Sequence, residues 1–392
     1  MSLFPARRRW LSGPQRGAYR REVHAQADRQ RWRPVWHAAA EGSGLSRDVA
    51  VAAGITTIVP ELVSVGRPTV GPTALVVRLL PGQLAADVRA VADRLAPALG
   101  AVQLRVTGLS DGVHVRIELL DRDPLAEAFR PMLPAVATIT DPLILGLADD
   151  GVVVSHALAD ATHLAVQGMN GSGKSRFCYG LLSQCAHAPD VLVAGSDITG
   201  LLLGGPWAGT RHREHQAAGT GDLEQHAASL ERLVELMDQR LADMPRGVDK
   251  IAPSSDVPLV LVVAEEWPGL LRAAQARDRK LADRITSAML RLASEGRKAA
   301  FRVLVLAQRF EAAAVGGGYL REQLGLTISF RVPTESLVML HGDDARELGA
   351  AHRTAEPGIA VVSAPGRPLA RMRAPWFGEY RDYCAAVGGD DW

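Results

Sequence analysis

Residues 168–175 read Gly-Met-Asn-Gly-Ser-Gly-Lys-Ser, and no other stretch constrains the fold as tightly. They fit the spacing G-x-x-x-x-G-K-[ST], in which glycines let successive backbone N–H groups converge on the phosphates of a nucleoside triphosphate. In that pattern Gly168, Met169, Asn170, Gly171, Ser172 and Gly173 form the cradle, Lys174 reaches the β- and γ-phosphates, and Ser175 ligates Mg²⁺. Such a loop works between a strand and a helix N-terminus, where the helix dipole favours an anion. His163–Gln167 is a short apolar run and Arg176–Ala186 is helical in pattern, so both flanks are predicted. ATP and Mg²⁺ are the expected ligands.

A phosphate loop needs a carboxylate for the metal and a group that activates water. Pro258–Ala264 is the most apolar strand in the sequence, and it runs into Glu265-Glu266-Trp267. Acids at the C-terminal end of a buried strand stand where open α/β sheets bind ligands. Glu265 is therefore assigned to Mg²⁺ through its water shell, and Glu266 to polarising the attacking water. The next strand, Val303–Leu306, ends in Ala307-Gln308-Arg309, and Gln308 is the candidate that senses the γ-phosphate or orients the water. Asp197, after the strand Val191–Ala194, is expected at the same edge, with functional and structural roles equally open.

Near-continuous apolar strands alternate with amphipathic helices such as Asp222–Met244 and Asp278–Glu295. That alternation predicts an α/β fold with a mostly parallel sheet covered on both faces. Four regions are expected: a basic, disordered tail over 1–45, a small α/β domain over 46–125, the nucleotide-binding motor over 126–375, and a short C-terminal tail over 376–392. The net charge is only +1, but residues 1–35 hold nine arginines against Glu22 and Asp28. That segment is thus +7 and the remaining 357 residues −6. Such a tail can meet nucleic acid, anionic lipid or an acidic partner. No apolar run approaches the roughly 18 residues of a membrane span, and no signal peptide is read at the start. Cys178, Cys185 and Cys384 have no metal-ligand spacing and fit a reducing compartment.

These motifs together resemble the FtsK/SpoIIIE family of bacterial double-stranded DNA translocases. Gly168–Ser175 is similar to the family's Gly-x-Thr-Gly-Ser-Gly-Lys-Ser loop. Val262–Leu270 is similar to its Val-Val-Asp-Glu-Phe-Ala-Asp-Leu strand end, with Glu265 at the Asp place and Glu266 at the Glu place. Another register puts Ala264 at the Asp place. Leu306–Phe310 corresponds to Ala-Thr-Gln-Arg-Pro, and Ile328–Val332 to Ile-x-Phe-Arg-Val. The likeness spans roughly residues 70–365 and is nearest to soluble FtsK-like transfer proteins of actinobacterial plasmids and integrative elements.

The resemblance implies a RecA-like core preceded by a small α/β domain. It also implies an ATPase ring, expected as a hexamer, that moves double-stranded DNA in conjugation or chromosome partition. A ring supplies an arginine in trans to the neighbour's γ-phosphate; Arg331 is the first candidate, with Arg297 and Arg309 beside it. Gly316–Gly318 with Arg321, and Lys250, are candidate DNA-gripping loops. The expected location is cytoplasmic, peripheral to the membrane, with a membrane-anchored partner protein. Two other readings stay open: an FtsK-like ATPase that feeds a protein-secretion system, and a nucleotide-binding assembly protein with little turnover.

Overall fold

The computed structural model describes residues 13–388, apart from 53, 67–71 and 161. The start of the arginine-rich segment (1–12) and the last four residues lie outside the described residues. The chain divides into two compact units, Met1–Ala126 and Glu127–Trp392.

In the first unit, helix α1 (Gly13–Gly42) precedes a hairpin of β1 (Arg47–Val51) and β2 (Gly54–Ile58). Strands β3 (Glu61–Gly66) and β4 (Thr73–Arg78), short helices α2 (Ala85–Ala90) and α3 (Ala92–Ala98), and strands β5 (Gln103–Gly108) and β6 (His114–Leu120) follow. The four longer-paired strands form an antiparallel sheet in the order β3-β4-β6-β5. Leu75 and Val77 on β4 and Val115 and Ile117 on β6 point inward at alternate positions, the period-2 pattern of a sheet buried on one face.

Residues 13–42, expected within a disordered tail, are one helix. Its C-terminal part joins the core: Trp36, Ala39 and Ala40 are buried, and Trp36 Nε1 donates to the Pro60 carbonyl at 2.6 Å. A helix that is polar around most of its circumference carries little amphipathic signal, and one buried tryptophan is enough to dock it.

The second unit begins with β7 (Leu143–Ala148) and β8 (Val153–His156), then β9 (Leu164–Gln167), α4 (Lys174–Cys185), β10 (Val191–Asp197) and β11 (Gln216–Ala218). Next come α5 (Leu223–Ala242), β12 (Leu259–Glu265), α6 (Trp267–Arg277), α7 (Arg279–Glu295), β13 (Phe301–Ala307), α8 (Ala312–Val315) and α9 (Gly318–Glu322). The chain continues through β14 (Leu326–Phe330), α10 (Thr334–His341), α11 (Gly349–His352), β15 (Ile359–Ala364), β16 (Arg367–Arg373) and α12 (Tyr380–Gly388). The ten strands form one sheet in the order β11-β10-β12-β13-β9-β14-β15-β16-β7-β8. Pairing is parallel from β11 to β14 and antiparallel beyond it.

Both faces of the parallel part are buried. Leu259, Leu261 and Val263 of β12 face the core that contains α4 and α12. Val260, Val262 and Ala264 face the core of α5, α6 and α7. This two-sided burial explains why β12 reads as an unbroken apolar run. Asp222 and Asp278 cap α5 and α7, accepting from backbone N–H groups of their first turns.

The C-terminal tail expected over 376–392 contains a helix. Residues 380–388 form α12, with Tyr383 fully buried. Its hydroxyl donates to the Leu202 carbonyl at 2.5 Å and accepts from Trp207 Nε1 at 3.0 Å. Tyr383 also stacks on Tyr179 of α4, with centroids 4.6 Å apart.

Candidate nucleotide site

β9 ends at Gln167, and the loop 168–173 leads into α4. Gln167 is buried, and its Nε2 donates to Ser329 Oγ at 2.7 Å and to the Ser336 carbonyl at 3.0 Å. Three backbone bonds then brace the loop: Gly168 N to Ala307 O, Met169 N to Arg331 O, and Gly358 N to Ser172 O. Two glycines are dictated by space. A Cβ on Gly168 would lie 2.5 Å from Ser172 Oγ and 2.8 Å from Phe330 Cβ. Gly173 has φ +105°, and a Cβ there would stand 2.7 Å from the Gly358 nitrogen.

Lys174 opens α4, with its side chain only 8% exposed. Its Nζ lies 2.8 Å from Glu266 Oε1. Glu266 follows β12 directly and caps α6 with φ +43°, a left-handed conformation rare outside glycine. Among the described residues only Ala300 shares that feature without being glycine. Backbone strain of this kind collects at functional sites, where surrounding structure over-determines it. The two acids of the pair therefore have different environments. Glu266 lines the cleft beside Lys174, whereas Glu265, the last residue of β12, turns inward. Burial first, and then the Asp197 carboxylate paired with it across the strands, push the Glu265 carboxyl up from 4.5 to about 8. Its Oε2 is buried without a hydrogen-bond partner, as is Ser172 Oγ.

An unpartnered carboxylate oxygen behind the cleft and a serine at its rim suit a hard cation taken through oxygen ligands. Ser175 lines the cleft and Glu265 does not. Asp197 serves the backbone around it. Its two oxygens accept from Thr199 N, Thr199 Oγ, Leu202 N and Leu203 N, which folds the turn after β10.

The remaining candidates are spread out. β13 runs between β9 and β12, so Gln308 leaves the sheet between the loop and the acids. It is exposed and lines a shallow hollow with Glu266, Arg272 and Arg309. Arg331 stands just past β14 at the loop's edge, and its Nη1 donates to the Ala355 carbonyl at 3.2 Å. Arg297 precedes β13 and so lies at the opposite end of the sheet from the loop. The Ile251 backbone N–H donates to the Lys298 carbonyl there, which places neighbouring Lys250 at that far end too. Gly316–Gly318 is a tight junction between α8 and α9, not a long open loop. Burial pushes the Cys185 thiol up to about 12 and raises the Cys178 thiol as well, which makes both poor nucleophiles.

The cleft itself measures about 460 Å³. Besides the loop it is lined by Phe129, Arg176, Gly358, Arg373 and Trp376, none of which a sequence motif marks. Only Arg176, adjoining the phosphate loop, carries a positional hint.

A glycine-rich loop over a helix N-terminus, a lysine meeting a strand-end acid, and a mostly parallel sheet define a P-loop nucleotide-binding protein with a RecA-like core. No profile of a known protein family matches the chain. It is 31% identical over 331 residues to the transfer protein TraSA of Streptomyces ambofaciens, covering 79% of this chain and 77% of that protein. It is 26% identical over 311 residues to the DNA translocase FtsK of Corynebacterium efficiens, covering 72% of this chain and 32% of that protein. The chain belongs to the FtsK-like transfer-protein family that includes TraSA.

Among solved structures, the pCW3 conjugation coupling protein TcpA matches with TM-score 0.54 at 15% identity, over 83% of this chain and 91% of that one. ATPases 2 and 3 of Thermomonospora curvata EccC match with TM-score 0.51 at 19% identity, over 66% of this chain and 50% of that one. At such identities the likeness is one of fold, and both are P-loop ATPase folds. Among the described residues no helix is long and apolar enough to cross a membrane.

Proposed function

We propose that the chain is an ATPase that couples hydrolysis to movement of double-stranded DNA, as a ring, in plasmid or element transfer. The observation that carries the reading is the 2.8 Å approach of Lys174 to Glu266. It joins the two halves of a nucleotide site that lie 92 residues apart in sequence.

In this reading the loop N–H groups and Lys174 hold the triphosphate. Ser175 and Glu265 would hold Mg²⁺, which when bound would supply positive charge against the phosphates. Glu266 takes the proton of the attacking water, with Gln308 orienting that water. Membership beside TraSA and FtsK supports duplex DNA as the substrate. Arg331 remains the candidate for trans action in a ring, provided that it exchanges the Ala355 carbonyl for a neighbour's phosphate. A cytoplasmic position at the membrane, through an anchored partner, belongs to the same proposal.

The test is ATP turnover by the purified protein with and without duplex DNA across a salt series. Stimulation by duplex of any sequence, fading steeply as salt rises, is the expected result, because phosphate contacts release counterions. Turnover indifferent to duplex would favour the secretion-type reading. Binding without turnover would favour an assembly role.

A further inference from the structure

We propose that the strap Ala374–Glu379, clamped by Arg176, is a nucleobase subsite, and that a bound nucleoside triphosphate lays its planar base against the Arg176–Trp376 stack. This rests on the reading of Gly168–Ser175 as the triphosphate cradle. The cleft has two chemically different ends. One is the loop 169–175, with Lys174 and Glu266 beside it. The other is walled by Phe129, Pro375 and Trp376, with the Arg176 and Arg373 side chains beside them. An anion at one end and a flat apolar surface at the other is the complement of a nucleotide, and a triphosphate alone would leave the apolar end empty.

The apolar end is built, not incidental. Trp376 N donates to the Phe129 carbonyl at 2.7 Å, so two aromatic residues from distant segments are tied at the backbone. Ala374 N donates to the Gly358 carbonyl at 2.8 Å, and Gly358 N in turn donates to Ser172 in the loop. The strap is thus coupled to the cradle through one glycine.

Arg176 follows Ser175 directly, so whatever positions the loop positions its side chain. It is not placed as a phosphate clamp. Its Nη1 donates to the Phe377 and Gly378 carbonyls, and its Nη2 lies 3.1 Å from both oxygens of Glu379. With those N–H groups spent on the strap, the planar face of the guanidinium is what it offers to a ring. Its Cζ already sits 4.4 Å from the Trp376 centroid, and Arg130 stands 5.2 Å from the same ring. Trp376 nonetheless stays 42% exposed. An aromatic ring held by cations and left open beside a phosphate site is a stacking platform.

The experiment measures binding of ATP and of inorganic tripolyphosphate, each with Mg²⁺, to wild type, Trp376→Ala, Trp376→Phe and Lys174→Ala. We expect Trp376→Ala to weaken ATP about tenfold, the scale of one lost base–aromatic stack, and to leave tripolyphosphate unchanged. Trp376→Phe should retain most of the ATP affinity, which excludes misfolding as the cause. Wild-type ATP affinity in Trp376→Ala, or equal losses for both ligands, would overturn the subsite. Lys174→Ala should weaken both ligands alike. If it weakens neither, or if wild type binds neither, the cradle reading falls and takes the subsite with it.

Discussion

Single side chains decide the chemistry of this site, and three of them make separable predictions. Lys174→Ala should abolish measurable ATP binding in calorimetry while leaving the circular dichroism unchanged. Glu266→Gln should keep ATP bound and lower turnover by about 100-fold or more, the usual worth of a positioned proton acceptor. If Glu265→Gln has that phenotype instead, the roles of the two acids are exchanged. Glu265 also has a pH signature. Its carboxyl is raised from 4.5 to about 8 by burial, so the folded state holds a proton that the unfolded state releases. The stability it supports is complete below about pH 4.5 and is lost as pH climbs to about 8. The loss is on the order of a few kcal/mol at most. Thermal melts of nucleotide-free Glu265→Gln should accordingly fall less over that range than wild-type melts do. Parallel curves for the two proteins would show that Glu265 does not carry the proton.

Elements show where the sequence was readable and where it was not. β12 and β13 were legible because parallel strands buried on both faces leave long apolar runs, and the loop was legible because its glycines are forced. Gly173 illustrates this: its positive φ and the Gly358 nitrogen both exclude a side chain. Gly171→Ala, at φ +69° with open space around it, should cost about 1 kcal/mol, whereas Gly173→Ala should cost more and also distort the cradle. Equal melting temperatures for the two variants would contradict that ranking. α1 and α12 were illegible for the opposite reason. Each is anchored by a few contacts to distant residues, Trp36 to Pro60 and Tyr383 to Leu202 and Trp207, and tertiary partners leave no periodic trace. Tyr383→Phe, which removes the hydroxyl from both bonds, should lower stability by about 1–3 kcal/mol in denaturant unfolding. The aromatic end of the cleft went unseen similarly, because Phe129 and Trp376 meet only in the fold.

At the scale of the whole chain, the two units have separate cores. The buried cluster around Leu75, Val77 and Ile117 lies wholly before Ala126, and the clusters on the two faces of the large sheet lie wholly after it. A fragment of residues 127–392 should therefore fold alone and bind ATP with wild-type affinity, because every residue that lines the cleft lies within it. An insoluble or unfolded fragment would show that the second unit depends on the first.

The meeting of Lys174 with Glu266 has a consequence for timing. Each side chain satisfies the other in this structure, so an arriving triphosphate enters as a rival for the lysine. When the anion wins, Glu266 loses its counter-charge in the same event. On the proposed roles, the base that takes the proton from water is freed only by the triphosphate that this water is to attack, and an idle subunit keeps its acid locked.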